Sequence, residues 1–450
     1  MTSASDAGFV RGLGFWGAYS LIAGSMIGTG IFFFVSPVAQ YLHSPVTILA
    51  AWVVGAAIAS CGALCVAELA AAYPKTGGVY VYLREAFGPL VGFLYMWAYF
   101  LIIRIGNVAI LAIAFAAFLS DLLQLEPRAA HAVERPVALA VVAGVSVLNA
   151  FGVRTAGNTQ IALTVLKLLS LIMIIAIGIT FAVGALEPYE LEIAAGAQIP
   201  VHPLWLAFPA ALIPVMWSFG GWDEATYVAE EIRDPERTLP AAVLGGLWTV
   251  ALLYVGVNAA YLALLTPAEM ARSGTHTALL AMRRALGDFA PTLLSVALMV
   301  SALGSLNAMT LSGARIGYAA GRENHMLRWA ATLNGRTHTP IRSLAIQATL
   351  ACLAILVFPD PYALLLYTAV AYWLFSALIA GAVVVLRRKT PDLPRPFRTP
   401  GYPWIPMTFG AAAVAMGTAA GVGSPLQATT TAGILAFGAL AYFWQQRAQR

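Results

Sequence analysis

Twelve apolar stretches divide the chain, at roughly 15–35, 46–72, 89–120, 137–151, 157–184, 204–229, 240–265, 289–318, 343–358, 361–386, 404–421 and 426–444. A helix needs about 20 apolar residues to cross a bilayer core. Lipid offers the backbone no hydrogen-bond partners, so runs of this length predict α-helices that satisfy themselves. The fourth, ninth and eleventh stretches are short for the task. Composition agrees: 60% of residues are hydrophobic and 10% charged, where a soluble domain carries about a quarter charged. The first 14 residues are mixed and polar, and the run from Phe15 is long enough to span, so no cleaved leader is expected. The fold class predicted is an all-α integral membrane protein.

An even number of spans puts both termini on one side. With the termini inside, the outer loops hold only Arg128, Arg135, Arg272, Arg283 and Arg284 of the 25 Lys and Arg residues. Arg104 and Lys167 fall within spans, and the rest lie inside, most densely at Arg387, Arg388, Lys389, Arg395 and Arg398. The outer segment 185–203 carries Glu187, Glu190 and Glu192 and no base. That asymmetry follows the positive-inside rule and predicts cytoplasmic termini in a multi-pass protein of the cell (inner) membrane. Cys61, Cys65 and Cys352 lie inside apolar runs with no ligand spacing, so neither a disulfide framework nor a metal site is expected.

Two spans resist being continuous helices. The first reads Ala23-Gly24-Ser25-Met26-Ile27-Gly28-Thr29-Gly30, and each glycine costs a helix about 1 kcal/mol relative to alanine. Gly24 and Gly28 also form a small-xxx-small pair suited to close packing, so this segment alone leaves packing and a break open. The sixth carries Pro209, Pro214, Gly220, Gly221, Asp223 and Glu224. Such backbone survives at membrane depth only against protein or a water-filled cavity, and a mid-span carboxylate costs about 2.5–3.5 kcal/mol. Breaks in spans one and six, five helices apart, predict two inverted repeats at about 15–184 and 204–386, with peripheral helices at about 404–444. Free amides at Met26–Gly30 would attract a carboxylate. Unpaired carbonyls before each break would accept an ammonium group, so a zwitterion matches the site.

At these residues the chain resembles the amino acid–polyamine–organocation (APC) transporter superfamily, and is especially similar to its L-type amino acid transporter branch. The matching stretches are Gly24–Phe32, Ala67–Leu69, Pro74–Tyr80, Ile102–Arg104, Trp217–Trp222, Glu230–Pro240, Leu306–Ala308, Gly313–Arg315, Arg395–Arg398 and Pro403, in family order. The resemblance implies a leucine-transporter-type fold of ten core helices in two inverted repeats plus two peripheral helices. It also implies a secondary active transporter (permease) that moves amino acids by alternating access. Met26, Ile27, Gly28, Thr29 and Gly30 match the carboxylate-binding loop of helix 1, with Ala23 at its entry. Phe219 and Gly220 match the ammonium-binding carbonyls of helix 6, and Asn307 falls in the matching part of helix 8. Trp217 sits at the family's aromatic gate, although an aromatic of the interfacial belt is the other reading. Animal L-type transporters bond to a heavy-chain glycoprotein through a cysteine after helix 3. The corresponding loop here, Ser120 to Pro136, has no cysteine, so no disulfide-linked heavy chain is expected.

Lys167 lies well inside span five, with 157–166 before it and 168–184 after, although a lysine nearer a helix end could snorkel. The resemblance puts it where sodium-coupled relatives hold a second sodium ion, which implies sodium-independent transport. Asp223 aligns with a glutamate that acid-resistance exchangers use to sense protons; its other reading is an N-cap for the resumed half of helix 6. Exchange and proton symport both stay open. Glu224 is read as part of the inner vestibule wall, Glu68 as a salt-bridge partner, and Arg104 has no assigned role.

An intramembrane enzyme and a channel are the rival classes. All six histidines read as loop residues, and no nucleophile elbow or phosphate loop occurs. Two isolated breaks suit a carrier better than a continuous pore. The expected partners are a small-molecule amino acid and membrane lipid, with no nucleic acid and no cofactor. Small neutral amino acids lead as substrates, and Asp223 motivates cationic amino acids or polyamines as the alternative.

Overall fold

A computed structural model describes residues 8–183, 203–358 and 361–448. The acidic outer segment, 185–202, lies outside the described residues. Among those described the chain is helical, with one isolated backbone bridge between Leu13 and Ile232. Ten of its helical segments are long and apolar enough to cross a membrane, and two shorter apolar helices, Leu204–Ser218 and Ile341–Val357, fall on the sixth and ninth stretches.

The first span is in pieces: α1 (Phe15–Met26), α2 (Gly30–Phe33) and α3 (Val35–Tyr41). α4 (Pro45–Ala72) begins with a proline in its first turn, where the missing N–H has no helical partner to lose. The short α5 (Val79–Phe87) leads into α6 (Pro89–Ala98), a π-helical turn (Tyr99–Arg104) and α7 (Ile105–Leu122). Next come α8 (Pro127–Ala150) and α9 (Val153–Val183). The sixth span is α10 (Leu204–Ser218), and a 3₁₀ stretch (Glu224–Glu231) joins it to α11 (Pro235–Leu264). Two short helices, α12 (Pro267–Arg272) and α13 (Thr277–Leu286), precede α14 (Ala290–Glu323). α15 (Ile341–Val357), α16 (Pro361–Lys389), α17 (Trp404–Gly423) and α18 (Pro425–Ala448) complete the chain.

α1 is central. It packs against α9, α11 and α14, and every residue from Leu21 to Met26 is buried. α17 and α18 lie at the edge against α16, α4 and α6, leaving Trp404, Val422, Phe437 and Trp444 exposed as a lipid-facing surface would require. Two buried glutamates, Glu231 and Glu68, pair with arginines. Arg315 and Glu231 are 0% and 1% exposed and meet in two contacts of 2.7 and 3.0 Å. Glu68 accepts from Arg387 at 2.7 and 2.8 Å and from the Thr399 amide at 2.8 Å, so it is the salt-bridge partner its position suggested.

Three local readings change. The loop drawn from Ser120 to Pro136 is helical from Pro127, and Pro136 is carried inside α8. The early turns bear the exposed Arg128, His131 and Arg135 on a polar surface, so apolarity alone could not extend the span this far. His131 is therefore on a helix, not in a loop. The sixth span stops at Ser218, because the glycine pair and two acids that follow break the helical pattern.

Candidate functional site

The break after α1 frees backbone carbonyls, and each needs a partner at this depth. Lys167 of α9 donates to the carbonyls of Gly24 at 2.5 Å and Ile27 at 2.7 Å, and to the Ser305 hydroxyl at 2.8 Å. Ser301 of α14 donates to Ile27 at 3.0 Å and Gly28 at 3.1 Å. Tyr254 of α11 donates to the Met26 carbonyl at 2.6 Å. Lys167 is 1% exposed, so it does not snorkel. The sequence reading left carbonyls before each break open for an ammonium group. At the first break the carbonyls of Gly24, Met26 and Ile27 are taken by the protein's own donors, whereas that of Ser25 meets only the shared Ser305 hydroxyl at 3.3 Å.

The second break follows Ser218. Gly221 sits at φ +109°, a conformation that favours glycine, and a Cβ there would lie 2.7 Å from Ser25 Oγ. Ser25 in turn donates to the Gly221 carbonyl at 2.9 Å, stitching the two breaks together. Asp223 occupies the N-cap position of the 3₁₀ stretch, but its side chain caps nothing. Its carboxylate accepts from the Tyr227 hydroxyl, which lies 2.6 Å from the Tyr95 hydroxyl. The capping alternative is thereby corrected.

Between the breaks lies a cavity of about 80 Å³. Met26, Gly28, Thr29, Gly30, Trp217, Gly220 and Asp223 line it. Trp217 meets Phe34 edge-on with ring centroids 4.8 Å apart, so an aromatic pair joins α10 to the far end of α2. The other sequence-predicted residues stand behind the wall. Ala23 is 0% exposed within α1, and Ile27 is buried beside its carbonyl's donors. The Phe219 ring packs on Trp52 and Tyr254. Asn307 accepts from Asn149 at 2.9 Å and donates to Gln160 at 2.8 Å, tying α14 to α8 and α9. Lys167 acts on the far side of the α1 break.

Sequence reasoning missed Tyr99, Asn107 and Tyr372, which line the cavity from the third and tenth stretches. Asn107 carried a signal, a polar residue one helical turn from Arg104 in an otherwise apolar run. Glu224 and Arg104 also change meaning. They are 3% and 1% exposed and pair at 3.0 Å, with Glu224 on the cavity wall and Arg104 behind it. Glu224 is thus part of a buried pair at the central cavity rather than of an open inner vestibule.

Apolar helices, two of them interrupted, thus surround a partly polar cavity, the arrangement of a membrane carrier. The chain belongs to the amino acid permease family, whose model matches residues 13–444. It is 30% identical to the b(0,+)-type amino acid transporter 1 of Mus musculus, over 89% of this chain and 80% of that protein. It is 31% identical to the cystine/glutamate transporter of Homo sapiens, over 87% and 76% of the two. The large neutral amino acids transporter small subunit 2 of Mus musculus is 31% identical, over 86% and 72%. The family and these relatives are transporters, not enzymes.

Proposed function

We propose that this chain carries amino acids across the cell membrane by alternating access, without sodium, as an exchanger or proton symporter. The observation that carries the reading is the cavity itself, walled by the unwound stretches of both broken helices and reached by Trp217. A cation of sodium's size is held by carbonyl and hydroxyl oxygens. The carbonyls of Gly24 and Ile27 and the hydroxyl of Ser305 are such a set, and the Lys167 ammonium occupies it. With the carbonyls of Gly24, Met26 and Ile27 taken, the ammonium of a zwitterion is received at the second break, at Phe219 and Gly220, and its carboxylate by the backbone at Gly28–Gly30. The small cavity favours small neutral amino acids. The carboxylate of Asp223 on its wall favours cationic amino acids or polyamines as the second reading.

The architecture that goes with this function has twelve spans, an inverted pair of five-helix repeats at about 15–184 and 204–386, peripheral helices at about 404–444, and cytoplasmic termini. The loop after helix 3 has no cysteine, so the carrier works without a disulfide-linked heavy chain. The test is counterflow in proteoliposomes. Saturable uptake of labelled alanine driven by unlabelled alanine inside, unchanged when choline replaces sodium, is expected. Unsaturable flux would mean a channel, and collapse in choline would refute sodium independence.

A further inference from the structure

Two carboxylates and one guanidinium share the neighbourhood of the cavity. The Asp223 carboxylate is half-buried and accepts from the hydroxyl of Tyr227, a neutral donor. Glu224 Oε2 accepts from Arg104 Nη2 at 3.0 Å and from the Ser312 hydroxyl. The same Arg104 nitrogen donates to the Tyr99 hydroxyl, and the guanidinium lies 4.7 Å from the Tyr99 ring centroid. Glu224 and Tyr99 line the cavity, and Arg104 stands directly behind them. Lys167 is not among the residues that line this wall; its ammonium stands behind Ser305 and donates to carbonyls across the α1 break.

We propose that Glu224 is a specificity-determining residue: its carboxylate masks the Arg104 guanidinium from the cavity and so bars solutes with an anionic side chain. The proposal rests on the reading of the cavity as an amino acid site. With Arg104 paired to Glu224, Asp223 is the charged side chain left among the lining residues. A side-chain carboxylate entering there meets a like charge in a low-dielectric space, where the repulsion is far stronger than in water. Exclusion of this kind is specificity by a repulsive element. Glutamine has the shape of glutamate and still offers an oxygen to Ser312 and Arg104, but it carries no charge. Glu224→Gln leaves a buried guanidinium without a counter-charge, which is unfavourable. An anionic group on a bound solute would supply what was removed. Packing over Tyr99 and burial to 1% exposure hold Arg104 facing Glu224, so it has no easy route to water.

The experiment is a thermal-shift titration of the purified full chain with L-alanine, L-aspartate and L-glutamate. The wild type is expected to be stabilised by alanine and not by the two acids. Glu224→Gln is expected to raise affinity for aspartate relative to alanine at least tenfold. Adding Arg104→Gln to it should return that ratio to the wild-type value. Where Glu224→Gln does not fold, Glu224→Ser, which opens space against Arg104, carries the same expectations. The masking role is overturned if wild type binds aspartate as tightly as alanine. It is equally overturned if the variant's ratio does not rise, loss of all binding included, or if the double variant keeps the gain. A wild type stabilised by none of these three, nor by L-lysine or L-arginine, overturns the amino acid reading beneath it, a result distinct from all of these.

Discussion

The Lys167 ammonium donates to the Ile27 carbonyl at 2.7 Å, closing across the break between α1 and α2. Lys167→Met should remove this bond and the one to Gly24, leaving serine hydroxyls as the remaining donors to those oxygens. A buried group left short of a partner costs about 1–3 kcal/mol. A lower melting temperature and at least a tenfold loss of alanine uptake are expected. Unchanged uptake at full stability would separate Lys167 from transport.

Gly28 and Gly30 should not behave alike. A Cβ on Gly28 has Ser305 Oγ as its nearest neighbour at 3.6 Å, so alanine fits the fold but intrudes on the cavity wall. A Cβ on Gly30 lies 2.8 Å from Ser218 Oγ and 3.1 Å from Ser218 Cα, and backbone cannot yield as a side chain does. Gly28→Ala should therefore raise KM with little change in melting temperature, whereas Gly30→Ala should lower melting temperature and uptake together. Valine at either position should abolish uptake. The two alanine variants scoring equally in both assays would contradict the geometry.

Asp223→Asn keeps an oxygen to accept from Tyr227 and removes the ionisable group. If Asp223 carries or senses the proton, uptake measured from about pH 5 to 8 should lose its pH dependence. Affinity for neutral substrates should change by less than about tenfold, or roughly 1.4 kcal/mol. A large loss at every pH would favour a cationic substrate instead. Profiles parallel to wild type would leave Asp223 without a protonic role.

The Arg315–Glu231 pair offers a stability test apart from transport. Breaking a fully buried pair on one side costs about 3–5 kcal/mol, whereas replacing both partners by apolar residues is often close to neutral. Glu231→Gln should lower the melting temperature sharply, and the double replacement Arg315→Met with Glu231→Met should recover most of it. A double variant worse than the single would mean that the charges do more than balance one another.

Interruption of the first and sixth spans was legible in the sequence because glycine, proline and carboxylate residues violate helical chemistry one by one. Lys167 was legible for the same reason, as a charge in the middle of an apolar run. The partners of these residues were not. Nothing local announces that Arg104 meets Glu224, or that Ser301 and Ser305 serve carbonyls 274 and 281 residues away. Serine is common in apolar helices, and only packing decides which serines have work. Tyr372 illustrates the same limit, since an aromatic in an apolar span reads as core until its neighbours are known. The start of α8 was lost for the opposite reason: its first turns are polar, and hydropathy sees only the part that meets lipid.

The π-helical turn at Tyr99–Arg104 has a consequence for anyone moving information between this chain and its relatives. Such a turn holds one residue more than an α-helical segment of the same height, and one residue is about 100° of rotation. Side chains before and after it therefore keep different angular registers: Trp97 turns outward to α18, while Arg104 and Asn107 turn inward. A relative wound as plain α-helix through this stretch would need a one-residue gap here to align in space, even where an ungapped sequence alignment looks acceptable. Substitutions copied by position alone would land on the wrong side of the helix from Arg104 onward.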